Sequence, residues 1–339
     1  MMARLCLFFI VFASFSYAAS ADELLMKNGS RLVGKVVSAS QSDVIFDTPF
    51  AGQIKIKQAN IDVVVTDEEV TLMMQNGKVY RRKRIESRDD ELLVTSDDEL
   101  PVIFDVADIK LVNPEPWMLG DGYKWFGKIN TALASERGNT DTDELDMDFE
   151  TIWRSLEDRY TMRGNWEIDA TDGTESKNLW KLQNKYDRFS LEDADNYYGL
   201  QMTLEHDEFA DLNLRTTTGP YIGRQYFETQ LLTLHAEVGV VHVDEDFDTA
   251  ENNHYWGSNW EVRMSTDIIP DTKFYVNADG IVNFEDTDAL VVNTTVGITL
   301  PILYGFQASA EAKFEYDGGA VKDVDDMDET YYLKFGYGW

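Results

Sequence analysis

Tyr331-Tyr332-Leu333-Lys334-Phe335-Gly336-Tyr337-Gly338-Trp339 ends the chain, and in it large apolar residues alternate with small or polar ones up to a terminal aromatic. Successive side chains of a strand point to opposite faces. Tyr331, Leu333, Phe335, Tyr337 and Trp339 therefore share one face, and Tyr332, Lys334, Gly336 and Gly338 share the other. A face of the first kind suits lipid and a face of the second a polar lumen, which is the pattern of the closing strand of a transmembrane barrel. An edge strand of a soluble sheet could carry the same nine residues. The decision rests on what precedes them.

Walking back to Trp117 gives twelve segments with strand character: Trp125 to Glu136, Asp143 to Arg154, Arg159 to Thr171, Glu175 to Arg188, Asn196 to His206, Leu212 to Arg224, Thr229 to Val243, His254 to Thr266, Thr272 to Phe284, Ala289 to Ile302, Gly305 to Tyr316 and Thr330 to Trp339. Several alternate cleanly. Tyr160, Met162, Trp166 and Ile168 oppose Thr161, Arg163, Asn165, Glu167 and Asp169, and Leu290, Val292, Val296, Ile298, Leu300 and Ile302 oppose Asn293, Thr295 and Thr299. A sandwich would hide such apolar faces in one core, whereas a barrel turns all of them outward. The expected fold is all-β: an antiparallel transmembrane barrel of about twelve strands over residues 122–339, preceded by a small duplicated β-domain.

Connections after odd-numbered strands are acidic or polar, among them 137–142, 207–211, 244–253 and 317–329, and those after even-numbered strands are short. Longer loops of such barrels face the medium, which would leave both ends of the barrel chain in the periplasm.

Upstream of Asn113-Pro114-Glu115-Pro116 the character changes. Leu24-Leu25-Met26-Lys27-Asn28-Gly29 recurs 48 residues later as Leu72-Met73-Met74-Gln75-Asn76-Gly77, and the match continues without a gap through Val44-Ile45-Phe46 against Leu92-Leu93-Val94 and Ala59-Asn60-Ile61 against Ala107-Asp108-Ile109. This internal duplication places repeats at 24–66 and 72–113 within a module of residues 22–113, with 114–121 as linker. Asn-Gly suits a tight hairpin. Two small SH3-like barrels or sandwiches are expected, packed together or sharing strands because 48 residues bury little core alone. Arg81-Arg82-Lys83-Arg84 could meet anionic lipid or peptidoglycan, although such a run is more often a solvated strand.

At the amino terminus, Arg4, the apolar stretch Leu5 to Phe15 and the small residues Ala19-Ser20-Ala21 read as a secretory signal peptide over residues 1–21. The apolar core is too short for a spanning helix, and no later segment approaches the roughly 20 apolar residues one needs. Cys6 is the only cysteine and falls within the signal, so no disulfide or thiolate metal site is expected in the mature chain.

The chain carries 30 Lys+Arg against 62 Asp+Glu. Removing Arg4 leaves 29 against 62, a balance of −33 that excludes nucleic acid as a natural partner. A mean hydropathy of −0.35 does not exclude a barrel, because only every second barrel residue faces lipid.

Several stretches resemble the salt-induced outer-membrane proteins of the YdiY type, known mainly by a domain of unknown function. The resemblance covers residues 120–339 and is carried by Trp125-Phe126-Gly127, by Arg137-Gly138-Asn139-Thr140-Asp141-Thr142, by Glu208-Phe209-Ala210-Asp211-Leu212 with Arg215, by Gly219-Pro220-Tyr221-Ile222-Gly223 and by the aromatic terminus. Met26 to Gly34 also resembles an amino-terminal pattern of some members, here present twice, with Arg82 where the first copy has Gly34. The resemblance implies fold and an outer-membrane location. It implies as surroundings outer-membrane lipid and lipopolysaccharide, the barrel-assembly machinery, read through Tyr331, Leu333, Phe335, Tyr337 and Trp339, and periplasmic chaperones.

No catalytic group is expected. The four histidines, His206, His235, His242 and His254, show neither a nucleophile partner nor the spacing of an outer-membrane protease or phospholipase. No cofactor motif occurs. Asp323, Asp325, Asp326 and Asp328, or Asp244 and Asp246, could offer hard ligands to a divalent cation, but neither run has the mid-loop Gly and twelfth-position Glu of a calcium loop. The lumen is expected to display Arg163, Glu167, Lys181, Lys185, Arg215, Glu237, Glu261 and Arg263. Such mixed charge could line a small-solute pore or cross-pair and plug it, and the expected role is a non-catalytic envelope or stress barrel with the pore as its alternative.

Overall fold

The computed structural model describes residues 21–339 except 41–42, 89–90, 97–98, 137–140, 191–194, 229–231, 270–271, 287–288 and 319–326. The signal-peptide reading therefore falls almost wholly outside the described residues, as do Asp323, Asp325 and Asp326. Contacts divide the chain into two units between Glu115 and Pro116.

The first unit holds β1 (Asp22–Met26), β2 (Arg31–Ser40), β3 (Asp43–Thr48), β4 (Gly52–Lys57), β5 (Ile61–Val65), β6 (Val70–Met74), β7 (Val79–Arg88), β8 (Glu91–Ser96), β9 (Glu99–Asp105) and β10 (Ile109–Val112). The duplication is visible in its hydrogen bonds. Met26 and Met74 donate their amides across the Asn-Gly turns to Ser30 and Lys78, and the amides of Lys27 and Gln75 donate to the carbonyls of Asn60 and Asp108 at 2.9 and 2.8 Å. The copies do not form two barrels. β5 of the first pairs with β7 of the second and β10 of the second with β2 of the first, so the order β1-β5-β7-β6-β10-β2, closed by β1 on β2, makes one six-stranded barrel. The physical reason is size, since neither copy has enough apolar surface to close a core.

Gly34 and Arg82, the point at which the repeats differ, have different jobs. A Cβ at Gly34 would overlap the Asp47 carbonyl on β3, whereas Arg82 takes a positive φ of 55° beside an irregularity in the β6–β7 register. The shared core is built on Leu24, Val36, Val44, Phe46 and Leu72, each at most 2% exposed. Because that core is complete within residues 22–113, the segment is expected to fold alone, with a cooperative urea transition that Leu72→Ala weakens by about 2–5 kcal/mol. A non-cooperative transition in the isolated segment would contradict this.

The second unit is a closed barrel of twelve antiparallel strands in sequence order: β11 (Lys124–Glu136), β12 (Thr142–Arg154), β13 (Asp158–Thr171), β14 (Thr174–Phe189), β15 (Asn196–Asp207), β16 (Leu212–Glu228), β17 (Leu232–Phe247), β18 (Asn253–Ile269), β19 (Thr272–Asn283), β20 (Leu290–Leu303), β21 (Phe306–Asp317) and β22 (Met327–Gly338). Trp339 exchanges backbone hydrogen bonds with Gly127, which brings the end of the chain to the start of the barrel.

Several ladders run further than the alternation of the sequence indicates. β16 continues to Glu228, β17 to Phe247 and β22 starts at Met327, so Asp244, Asp246 and Asp328 lie on strands rather than in loops. At the acidic ends of β17 and β22 backbone pairing continues beyond the apolar band whatever the side chains are, and there the apolar alternation that marks a strand is lost.

The barrel reverses the usual arrangement of a soluble fold. Leu133, Tyr198, Leu200, Ile222 and Leu333 are among the exposed large residues, while Glu167, Lys185, Asp187, Glu237, Glu261 and Lys334 are buried. Two aromatic girdles bound the apolar surface. Trp125 stacks on Trp153 and meets Trp339 near the carboxyl terminus, and Trp166 meets Trp180, which meets His206, toward the opposite end. Along β13 the girdles are six residues apart, from Tyr160 beside Trp153 to Trp166, which is about 20 Å of strand at roughly 3.4 Å per residue.

Candidate functional site

Alternation sends every second side chain inward, and the inward set meets across the lumen. β12 and β18 are six strands apart in a ring of twelve and thus face each other from opposite walls. Arg263 on β18 nevertheless lies 3.5 Å from Glu150 on β12, and Arg163 on β13 lies 3.1 Å from Glu261 on β18. Lys185 on β14 pairs with Glu237 on β17 and reaches Glu261 at 3.3 Å. Arg159 on β13 pairs with Asp187 at 2.5 Å and approaches Glu237 at 3.8 Å.

The four cations Arg159, Arg163, Lys185 and Arg263 thus face the four carboxylates Glu150, Asp187, Glu237 and Glu261 in one balanced cluster. Charges withdrawn from water need this mutual neutralisation together with hydrogen bonds to be tolerated. The bonds are present: Tyr197 Oη donates to Glu237 at 2.8 Å, Tyr221 Oη donates to Asp187, and Arg163 also donates to Gln183 at 2.9 Å. Both tyrosine rings lie against the wall because Gly223 and Gly199 stand where a Cβ would overlap them.

Further bridges flank this cluster. Lys334 on β22 reaches Asp146 at 2.6 Å, Asp148 at 2.8 Å and Glu311 at 3.2 Å, and Tyr275 donates to Glu311. Toward the loop end, Glu167 accepts Lys177 at 2.5 Å and Lys313, four strands away on β21, at 3.2 Å. Arg215 there joins Glu205 at 2.9 Å to Glu245 at 2.7 Å, with Lys181 3.6 Å from Glu205. At the end nearer the carboxyl terminus the Arg154 guanidinium sits 3.6 Å over the Phe189 ring and 5.5 Å from that of Trp117, which belongs to the short turn Pro116–Leu119.

Arg163, Glu167, Lys181, Lys185, Arg215, Glu237, Glu261 and Arg263 all take part in these inward contacts. Glu150, Arg159, Asp187, Lys313 and Lys334 belong to the same networks, and strand parity could have selected each of them. Tyr197, Tyr221 and Tyr275 were hidden from that reasoning, because an aromatic in a barrel strand reads as a lipid-facing residue.

His235, Glu237 and Glu261 bring possible metal-ligand atoms within 4.8 Å of one another. The two carboxylates already face Lys185, Arg159, Arg163 and Arg263, and that positive surround opposes a bound cation. His206 Nδ1 donates to the Asn213 carbonyl at 2.8 Å, and His242 sits 3.0 Å from Asp244 and against the rings of Trp256 and His254. Asp246 accepts from Asn213 and Asn252, and Asp328 sits opposite Glu315 in the β21–β22 ladder.

Outside the strands, Asp211 ties two loops together by accepting from the Thr249 hydroxyl at 2.6 Å and from the amides of Thr249 and Ala250 at 3.2 and 3.0 Å. The Thr249 hydroxyl, and then these amides, hold the Asp211 pKa below the usual carboxylate range against a smaller opposing effect of desolvation. A depressed folded-state pKa makes the contribution present above the unfolded value and lost as pH falls through the folded one. Hydrogen-exchange protection at Thr249 and Ala250 is expected to hold through neutral pH and to fall only below about pH 4. Loss of protection between pH 7 and 5 would contradict the latch.

A family model described as "Protein of unknown function, DUF481" matches residues 129–339. No curated protein matches the chain. Among solved structures the chain is similar to the NanC porin, with 10% identity, 62% of this chain and 97% of that one covered and a TM-score of 0.40. It is also similar to the KdgM porin, with 7% identity, coverages of 64% and 99% and a TM-score of 0.34. The outer membrane channel DcaP of Acinetobacter baumannii gives 10% identity, 94% of each chain and a TM-score of 0.33.

Proposed function

The chain belongs to the family described as "Protein of unknown function, DUF481", and from that membership and the geometry of its lumen we propose that it is an outer-membrane barrel held shut at mid-height, with an envelope role and no catalysis. The observation that carries the reading is the set of ion pairs joining opposite walls, Arg263 with Glu150 and Arg163 with Glu261. A pore needs an unobstructed path, and these side chains meet in its middle. The outward apolar band between two aromatic girdles supports a lipid surround. The acidic connections then face the medium, the amino-terminal unit belongs to the periplasm, and an adaptation to salt fits a mature balance of −33.

The test is permeability. Liposomes carrying the folded barrel are expected to swell no faster than empty ones in neutral, anionic or cationic small solutes, and rapid swelling in any of them would overturn the closed reading. A second reading, a solute pore that opens when the bridges are displaced, draws support from their chemistry. Ion pairs, unlike an apolar plug, can be exchanged for contacts with a charged solute, and swelling confined to one class of charged solute would favour it.

A further inference from the structure

The amino-terminal barrel bounds a partly open cavity of about 210 Å³, and its lining follows the internal duplication. Val44 and Leu92, Ile61 and Ile109, and Val64 and Val112 line it together, and the members of each pair are 48 residues apart. The space therefore lies between the two copies, beside the junctions at which β5 meets β7 and β10 meets β2. The aliphatic part of the lining offers a hydrocarbon chain a place out of water, as an engineered apolar cavity of roughly 150 Å³ does for benzene, while Gln58, Asp62, Ser87 and the two lysines make the rest polar. The repeat symmetry fails where charge enters. Asp62 is matched by Lys110, and Lys27, which lines the cavity, is matched by Gln75, which does not. Neither Lys27 nor Lys110 has an ion-pair partner among the described residues. Two uncommitted ammonium groups against one carboxylate leave the lining net positive.

We propose that this unit binds an aliphatic anion, with a medium-length acyl chain in the cavity between the repeats and a carboxylate or phosphate at Lys27 and Lys110. The apolar part of the lining takes the chain, and the lysines favour an anionic headgroup over an uncharged or cationic one. A free fatty acid and a lipid with an anionic headgroup share this chemistry.

The experiment uses the full mature chain in nanodiscs with labelled isoleucine methyl groups, titrated with straight-chain carboxylates. Octanoate is expected to shift the methyls of Ile61, Ile85 and Ile109 saturably, with affinity rising roughly four-fold per methylene from butanoate until the cavity is full. Octanol should bind about ten-fold more weakly, the value expected for loss of one charged contact. Ala39→Phe, which fills the cavity from β2, should abolish the shifts. Lys27→Gln with Lys110→Gln, both exposed, should reduce octanoate affinity to that of octanol without altering the fold. Tighter binding of octanoyl lysophosphatidylglycerol than of octanoate would assign the site to lipid, and the reverse order to free fatty acid. Absence of saturable shifts, the same shifts in Ala39→Phe, or equal affinity for octanol and octanoate would overturn the proposal.

Discussion

Deletion of Trp339 is expected to lower the amount of folded barrel in the outer membrane several-fold while leaving secretion intact. The reason lies in the seam. β11 and β12 pair from Lys124 to Glu136, but β11 and β22 pair only from Lys128 to Thr131. Trp339 extends that short ladder by two backbone bonds, its amide to the Gly127 carbonyl at 3.0 Å and the Gly127 amide to its own carbonyl at 3.1 Å. Its ring also meets Trp125 at 5.6 Å and Tyr337 at 6.4 Å. At about 1 kcal/mol for each bond and each ring contact, the loss is about 2–5 kcal/mol at the place where the barrel closes. Recognition of the terminal strand by assembly machinery, if it follows the same residues, acts in the same direction. Heat-modifiable barrel at unchanged abundance in the deletion would contradict this.

The second large effect is expected at Lys185. Lys185→Met leaves Glu237 and Glu261 facing one another with one fewer cation, in a place where Lys185 and Glu237 are both more than nine-tenths buried. Removing one member of a buried pair typically costs about 3–5 kcal/mol, because the remaining charge has no water to return to. The midpoint of urea unfolding in liposomes should fall accordingly. Lys185→Met with Glu237→Gln should recover part of the loss, since the pair is coupled and its members do not act additively. Additive losses in the double variant would show that the two side chains stabilise the barrel separately.

Much of this architecture is legible in the residues. Alternation from Tyr331 to Trp339 and along β13 gives both the barrel and the sense of its faces, because lipid and lumen differ in polarity at every second position. The eight charged residues picked by parity all take part in inward ion pairs for the same reason. Which wall each would reach across to was not legible, since parity says that Arg163 points inward but only closure and tilt bring it to Glu261. Long-range register has no local signature. The duplicated module shows the complementary limit. The 48-residue repeat is plain, but strand exchange between the copies depends on which edges remain open after each copy has folded, and two identical patterns do not state whether they pair with themselves or with one another. The acidic extensions of β17 and β22 were missed because a strand outside the membrane has no apolar face to reveal it.

Current across a planar bilayer tests the central claim most directly. The folded wild-type barrel is expected to give a closed trace at moderate voltage, and Glu150→Ala/Arg163→Ala/Glu261→Ala/Arg263→Ala, verified as folded by heat modifiability, is expected to give discrete steps of ohmic conductance. Steady conductance of the same size in wild type and variant would show that the bridges between β12, β13 and β18 do not close the lumen.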